Sequence, residues 1–480
     1  STNLFMLSTN RLKNQHLLWR AAFGPMAENA NQLEKVSPAD LWNLLLKTSS
    51  KKPFYINVAT NSVDGLVKGV QEVVSMEKKQ EQARQNRRQS ALDLRGLNIS
   101  WLNQMINSEA QLREKVSLFW HGHFACRVIN IYFQQQMLHE IRTNALGNFG
   151  TLLRAVSKSP AMILFLNNQQ NKKEHPNENF AREVMELFTM GRGIYTEKDV
   201  KEAARAFTGW ATNARGEFIF RKNQHDAGMK TFLGRTGSFD GDDIIDIILE
   251  QKETARFIVE KIFRFFVNDQ INPKIVSALS ELFYRDNYDI QKLLGYIFTS
   301  DWFYQKENIG NKIKSPVELI VGIRRLIPMD MEKPESQLNY EKVLGQVLFY
   351  PPNVAGWPGG TSWIDSSTLM LRLRLARILT NADEFSIKPK DDDDVMMGQT
   401  VSEKNKQPMS QNKIDWPAVL NVFEGVPRVE LLEKLSKIVL QSKSNIPFQV
   451  LSRYIDEQSR ESYIKTALVQ LMSTPDYQLC

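Results

Sequence analysis

The chain has 480 residues, 42% hydrophobic and 24% charged, a composition that allows a large buried core and excludes a disordered or fibrous chain. Its net charge of +7 is spread along the sequence, and no apolar run reaches the roughly 20 residues that a membrane-spanning helix needs. Two cysteines, Cys126 and Cys480, exclude a disulfide framework and a CxxC metal site.

The first residue is Ser1 and not Met, so removal of an N-terminal segment is expected, by a signal peptidase or by the choice of boundary. Apolar residues then recur at helical spacing in HLLWRAAF (16–23) and ADLWNLLLK (39–47). The densest basic run, KKQEQARQNRR (78–88), carries Glu81 and no interleaved aromatic ring for base stacking. It reads as a solvated helix and not as a nucleic-acid surface. WLNQMI (101–106) is a further helical segment, and Ser108 with Gln111 has the spacing of a capping box that opens the next.

On that next helix, His121 and His123 of FWHGHF (119–124) fall about 200° apart, so the two rings cannot grip one metal ion unless Gly122 breaks the helix. His123 shares the face of Leu112, Val116 and Phe119 and reads as a buried structural polar residue.

After the helical segment FGTLLRAVSK (149–158) comes HPNENFAREVMELFTMGRG (175–193), which reads as one helix starting behind Pro176. Phe180, Ala181, Val184, Met185, Leu187 and Phe188 fall on one arc, while Glu178, Arg182 and Glu186 line up at i, i+4 and i+8 on the other. Such a ladder steadies a surface helix by a few tenths of a kcal/mol per pair and needs no function. Glu183 fits it less well: it lies at the border of the apolar arc, where a carboxylate is partly desolvated and needs a partner. Gly191 and Gly193 are expected to stop this helix, and Thr196 with Asp199 caps its successor.

GEFIF (216–220), behind the turn Asn213-Ala214-Arg215, predicts one short hairpin inserted between helices at about 209–222. His225, Asp226 and Lys230 follow in the loop NQHDAGMKTFLG (223–234). Adjacent His and Asp suit a base and its orienter, or metal ligands, although an Asp-Ala-Gly turn accounts for Asp226 by itself. FDGDDIID (239–246) lacks the glycine and terminal glutamate of a calcium loop and reads as a helix cap.

TARFIVEKIFRFFV (254–267), SPVELIVGIRRLI (315–327) and TLMLRLRLARILT (368–380) are helical. YPPNVAGWPGGTSWI (350–364) is irregular, and its Trp357 and Trp363 suit either a platform for ligands or pins to a core. KPKDDDDVMMGQTVSEKNKQPMSQNK (388–413) has no apolar period and reads as a mobile loop or linker that tolerates deletion. IFTSDWFYQ (297–305) and LMSTPDYQL (471–479) share a helix-stop pattern. The expected fold is all-α: one large multi-helix domain over 1–387 with the hairpin insertion, the linker 388–413, and helices over 414–480 packed on the main domain.

FWHGHF, NENFAREVMELFTMG, YTEKDVKEAARAFTGW, HDAGMKTFLG and LGQVLFYPPNVAGWPGGTSWI together resemble the large bacterial family called domain of unknown function 1800, from about residue 11 to the C-terminus. The resemblance implies a largely helical protein, commonly exported to the periplasm, cell surface or exterior, and often encoded beside a sulfatase-like companion. The family's polar positions match Asn177, Glu178, Asn179, Arg182, Glu183, Glu186, His123, His225, Asp226 and Lys230, while Phe188 stands where the family typically has histidine.

This shifts the expectation from a solvated ladder to a polar site. Asn177 and Asn179 would lie at the positive end of the helix, where an anionic group is favoured, with Glu178 as a further substrate contact. Glu183 or Glu186 would act as general acid or base, with Arg182, His225 and Asp226 beside them and Lys230, Trp210 and Trp357 contacting substrate. The expected function is hydrolysis or group transfer on envelope or extracellular polymers. The alternative is a non-catalytic binding or assembly subunit of a sulfatase-like protein. Convergence of Glu183, Glu186, Arg182 and His225 on one cleft would favour the enzyme. Neither a cofactor nor a metal follows from these residues.

Overall fold

Amphipathic periodicity becomes helix throughout the computed structural model, which describes residues 9–60, 76–382, 411–442 and 444–480. The periodic segments lie in the helices Asn10–Ala21, Pro38–Ser49, Met76–Asn107, Phe149–Ser157, Lys252–Phe266, Pro316–Leu326 and Ser366–Leu379. Local chemistry sets their ends. Ser37 and Ser315 each cap a helix whose first turn carries proline, and Thr196, Asp240 and Ser315 form capping boxes with Asp199, Asp243 and Glu318. The helix-stop pattern recurs as a short 3-10 turn, Asp301–Tyr304 behind Ser300 and Pro475–Gln478 behind Thr474.

Three apolar clusters form the core. The largest gathers Leu17, Trp120, Phe149, Phe180, Phe207 and Phe298. The second joins Trp19 and Leu319 to Leu435, Leu468 and Tyr477, so the C-terminal helices pack on the rest of the chain. The third holds Phe23, Trp101, Val321 and Phe349. The N-terminal helix and the residues just after it thus feed all three. There the buried Arg20 donates to the carbonyls of Val267 at 2.5 Å, Asn308 at 2.8 Å and Cys480 at 2.7 Å.

Among the described residues strand occurs only as three antiparallel pairs. β1 Trp210–Thr212 and β2 Phe218–Phe220 form the expected hairpin, with Trp210 opposite Phe220. Two pairs were not expected: β3 Lys230–Phe232 with β4 Arg235–Gly237, and β5 Met329–Asp330 with β6 Lys413–Ile414. These short strands lack the signal that marked the first hairpin, the run GEFIF behind the turn Asn213-Ala214-Arg215.

β6 also marks where the low-complexity segment ends. Asn412 exchanges hydrogen bonds with Asn381 and donates to the Leu379 carbonyl at 2.9 Å, so residues 411–413 are tied to the Ser366–Leu379 helix. The remainder of the expected loop, 388–410, lies outside the described residues.

Two local expectations are corrected. The Ser108 capping box does not form, because the helix Gln111–His123 starts later. The Gln111 amide turns back to the carbonyls of Met105 and Ser108, each at 2.8 Å. The helix Asn179–Glu186 is also shorter than the pattern implies. The amides of Leu187 and Phe188 both reach the Glu183 carbonyl, which widens the last turn and ends the helix before Gly191. Gly191 has φ +77°, and a Cβ there would lie 2.9 Å from the Phe257 ring.

Candidate functional site

The helix Asn179–Glu186 is started by side-chain amides. Asn171 Oδ1 accepts the Asn177 N–H at 2.8 Å, and Asn177 Oδ1 accepts the Asn179 N–H at 3.0 Å. Asn179 itself is exposed. Behind this start Arg182 holds Glu178 at 3.1 Å and grips Glu197 with both terminal nitrogens, at 2.9 and 2.8 Å. The second rung of the ladder is therefore Glu197, from the next helix Glu197–Ala206, and not Glu186. These carboxylates, Glu197 first, push the Arg182 pKa up.

Glu186 turns to the residues that follow the helix, pairing with Arg192 and accepting the Tyr195 hydroxyl at 3.2 Å. Glu183 is half-buried and, among the described residues, makes no side-chain hydrogen bond or ion pair. Burial raises its pKa, and the neighbouring charge of Glu186 adds to the rise against the opposing pull of Arg182 and Arg192.

The loop carrying His225 is closed by a second charge network. Arg205 grips Asp226 at 2.7 and 3.2 Å and also bonds Glu202 at 3.0 Å. The Arg205 hydrogen bond is the main reason the Asp226 pKa is lowered. Lys230 is 1% exposed and donates to the carbonyls of Asp226 at 2.6 Å and Gly228 at 3.0 Å, with burial lowering its pKa. His225 Nδ1 lies 2.9 Å from the Thr208 carbonyl and must donate to it. Gly209, at φ +84°, lets the chain close here, since a Cβ would fall 2.7 Å from the Arg221 carbonyl.

These two networks attach to opposite ends of one helix. Glu197 and Arg205 are eight residues apart on it, about 12 Å along the axis at the usual rise. Glu183, Glu186 and Arg182 are thus brought together, while His225, Asp226 and Lys230 assemble apart from them.

The predicted aromatic contacts are placed elsewhere again. Trp210 is 3% exposed among Phe180, Phe207 and Phe218. Trp357 covers the end of the Gln111–His123 helix, with its ring 5.7 Å from that of His121.

Both histidines of that helix are buried, and they serve different elements. His123 Nε2 lies 3.0 Å from the Phe188 carbonyl, and His121 Nε2 accepts the Phe349 N–H at 3.1 Å. Burial lowers both pKa values, that of His121 to about 3. Among the described residues no group of three or more His, Cys, Asp or Glu side chains could hold a metal ion.

Sequence reasoning missed three residues around the end of the Asn179–Glu186 helix. Arg192 and Tyr195 hold Glu186. Lys261 places its ammonium 3.5 Å from the Leu187 carbonyl and 5.0 Å from the centre of the Phe257 ring, and no carboxylate lies within ion-pair distance of it among the described residues. Burial lowers its pKa to about 8. The available signal was a lysine four residues after Phe257 on an amphipathic helix.

No curated protein and no solved structure matches the chain. A family model described as "Protein of unknown function (DUF1800)" matches residues 16–479, nearly the whole length and every motif described above. The chain belongs to the DUF1800 family.

Proposed function

We propose that this protein is an exported enzyme that hydrolyses, or transfers a group from, envelope or extracellular polymers, with Glu183 as its general acid. One observation carries the reading: Glu183 is half-buried and has no hydrogen-bond or ion-pair partner for its carboxyl among the described residues, one helical turn from Glu186, which Arg192 and Tyr195 hold. Two carboxyl groups whose surroundings differ in this way suit opposite halves of acid–base chemistry. In hydrolysis, protonated Glu183 gives its proton to the leaving oxygen. Glu186 takes a proton from the attacking water, whose oxygen bonds to the substrate. Export is carried over from the family resemblance.

The test is a polymer-degradation screen with the wild type, Glu183→Gln and Glu186→Gln. A turnover found in the wild type is expected to fall by about 10²–10⁴-fold in Glu183→Gln while the variant stays folded. Unchanged turnover in that variant would remove Glu183 from the chemistry.

The rival reading, a binding or assembly subunit beside a sulfatase-like companion, is favoured by a separate observation. His225 does not join Glu183, Glu186 and Arg182, and Arg182, Asp226 and Lys230 commit their polar groups to the chain itself. Sedimentation of the chain with such a companion tests it, a stable complex together with no turnover on any polymer being the outcome that would select it.

A further inference from the structure

We propose that Lys261 is an anion-binding subsite flanking the Glu183 centre, one that takes a carboxylate, sulfate or phosphate substituent on a polymeric ligand. The inference rests on the polymer reading above and deepens it by naming the ligand as acidic.

The geometry is that of a cation without a counter-charge among the described residues. Lys261 is half-buried, and its ammonium lies 3.5 Å from the Leu187 carbonyl and faces the Phe257 ring. On its own helix, Glu260 pairs with Arg256 and Arg264 donates to the Asp269 carbonyl. On the Asn179–Glu186 helix, Glu186 pairs with Arg192, and Glu183 makes no ion pair with any lysine or arginine among the described residues. His123, from a third element, is held neutral by its burial and by Lys261 itself.

Removing an ammonium from water without a partner is costly, and an anion supplied from outside would offset that cost. The location joins the subsite to the proposed centre. Leu187 directly follows the helix that carries Glu183 and Glu186, and Gly191 of the same turn lies against Phe257. A polymer lying along this turn would meet Lys261 at the Leu187 carbonyl, four residues along the chain from Glu183. A structural role for Lys261 as a cap on the last carbonyls of the helix predicts no preference for acidic ligands.

The experiment uses the full chain labelled with 13C at lysine Cε and follows Lys261 by NMR through a pH titration. It is run alone, with oligogalacturonate, with a heparin-derived tetrasaccharide, and with neutral maltotetraose. With a carboxylated or sulfated oligomer, the Lys261 midpoint is expected to rise from about 8 by about one unit. That corresponds to about tenfold tighter binding of the acid oligomer to the charged lysine.

Lys261→Met should lose this preference at least tenfold, and Lys261→Arg should keep it. No shift at saturating acidic oligomer, or an equal shift with maltotetraose, overturns the proposal; if Lys261→Met does not fold, the wild-type titration alone decides. The two readings fail separately: loss of the enzyme reading appears as unchanged turnover in Glu183→Gln, while loss of the subsite appears only in the lysine titration.

Discussion

The Nε2 atom of His123 lies 3.0 Å from the carbonyl oxygen of Phe188. This bond ties the FWHGHF motif to the turn that follows the Asn179–Glu186 helix, and it does so inside an aromatic cage of Phe119, Trp120, Phe124 and Phe188. Replacing His123 by Ala leaves both a cavity and an unpaired buried carbonyl. The expected loss is about 2–4 kcal/mol in urea unfolding. A loss below about 1 kcal/mol would mean that the bond contributes little to holding the turn.

His121 predicts a pH dependence. Its folded pKa of about 3 lies below the unfolded value of 6.5, so the unfolded chain binds the extra proton between those values. The stability it contributes is complete above pH 6.5 and is lost as pH falls towards 3. Melts of His121→Gln across that range should show a shallower slope than the wild type. Parallel slopes would show that the ring is not held neutral by its surroundings.

Glu183 has the opposite sign. Its folded pKa is raised, so stability linked to this group is present below the unfolded pKa and lost as pH rises through the folded one. Glu183→Gln should therefore melt at the same or a higher temperature than the wild type at pH 7, with the difference vanishing near pH 4. A large destabilisation at pH 7 would reveal a structural ion pair and count against the proposed general acid.

Arg205 and Asp226 should behave in the contrary way. Their two hydrogen bonds hold the His225 loop against the Glu197–Ala206 helix. A double-mutant cycle with Arg205→Met and Asp226→Asn is expected to return a coupling of about 1 kcal/mol. A coupling near zero would leave the loop to be held by Lys230 and the backbone.

Asn412 tests where the low-complexity segment ends. It is buried, bonded to Asn381 and to the Leu379 carbonyl, so Asn412→Ala should cost about 1–3 kcal/mol. A neutral result would assign residues 411–413 to the linker after all.

The sequence by itself determined the helical class, the capping box at Thr196, the helix cap in FDGDDIID, and the short hairpin that the structure forms from Trp210–Thr212 with Phe218–Phe220. Each of these is written in neighbouring residues: a period of 3.6, a cap three residues from its partner, a turn between two short apolar runs. The long motifs also carried family membership. Only the tertiary structure decided which charges meet. Arg182 had two glutamates at equal helical spacing, and a third, Glu197, arrived from another helix and took the place of Glu186. Lys261 lies 78 residues from Glu183 in the chain, and its lack of a counter-charge among the described residues depends on where the carboxylates around it point. Electrostatic partners are set by distances of a few ångströms between elements remote in sequence, and local periodicity holds no information about those distances.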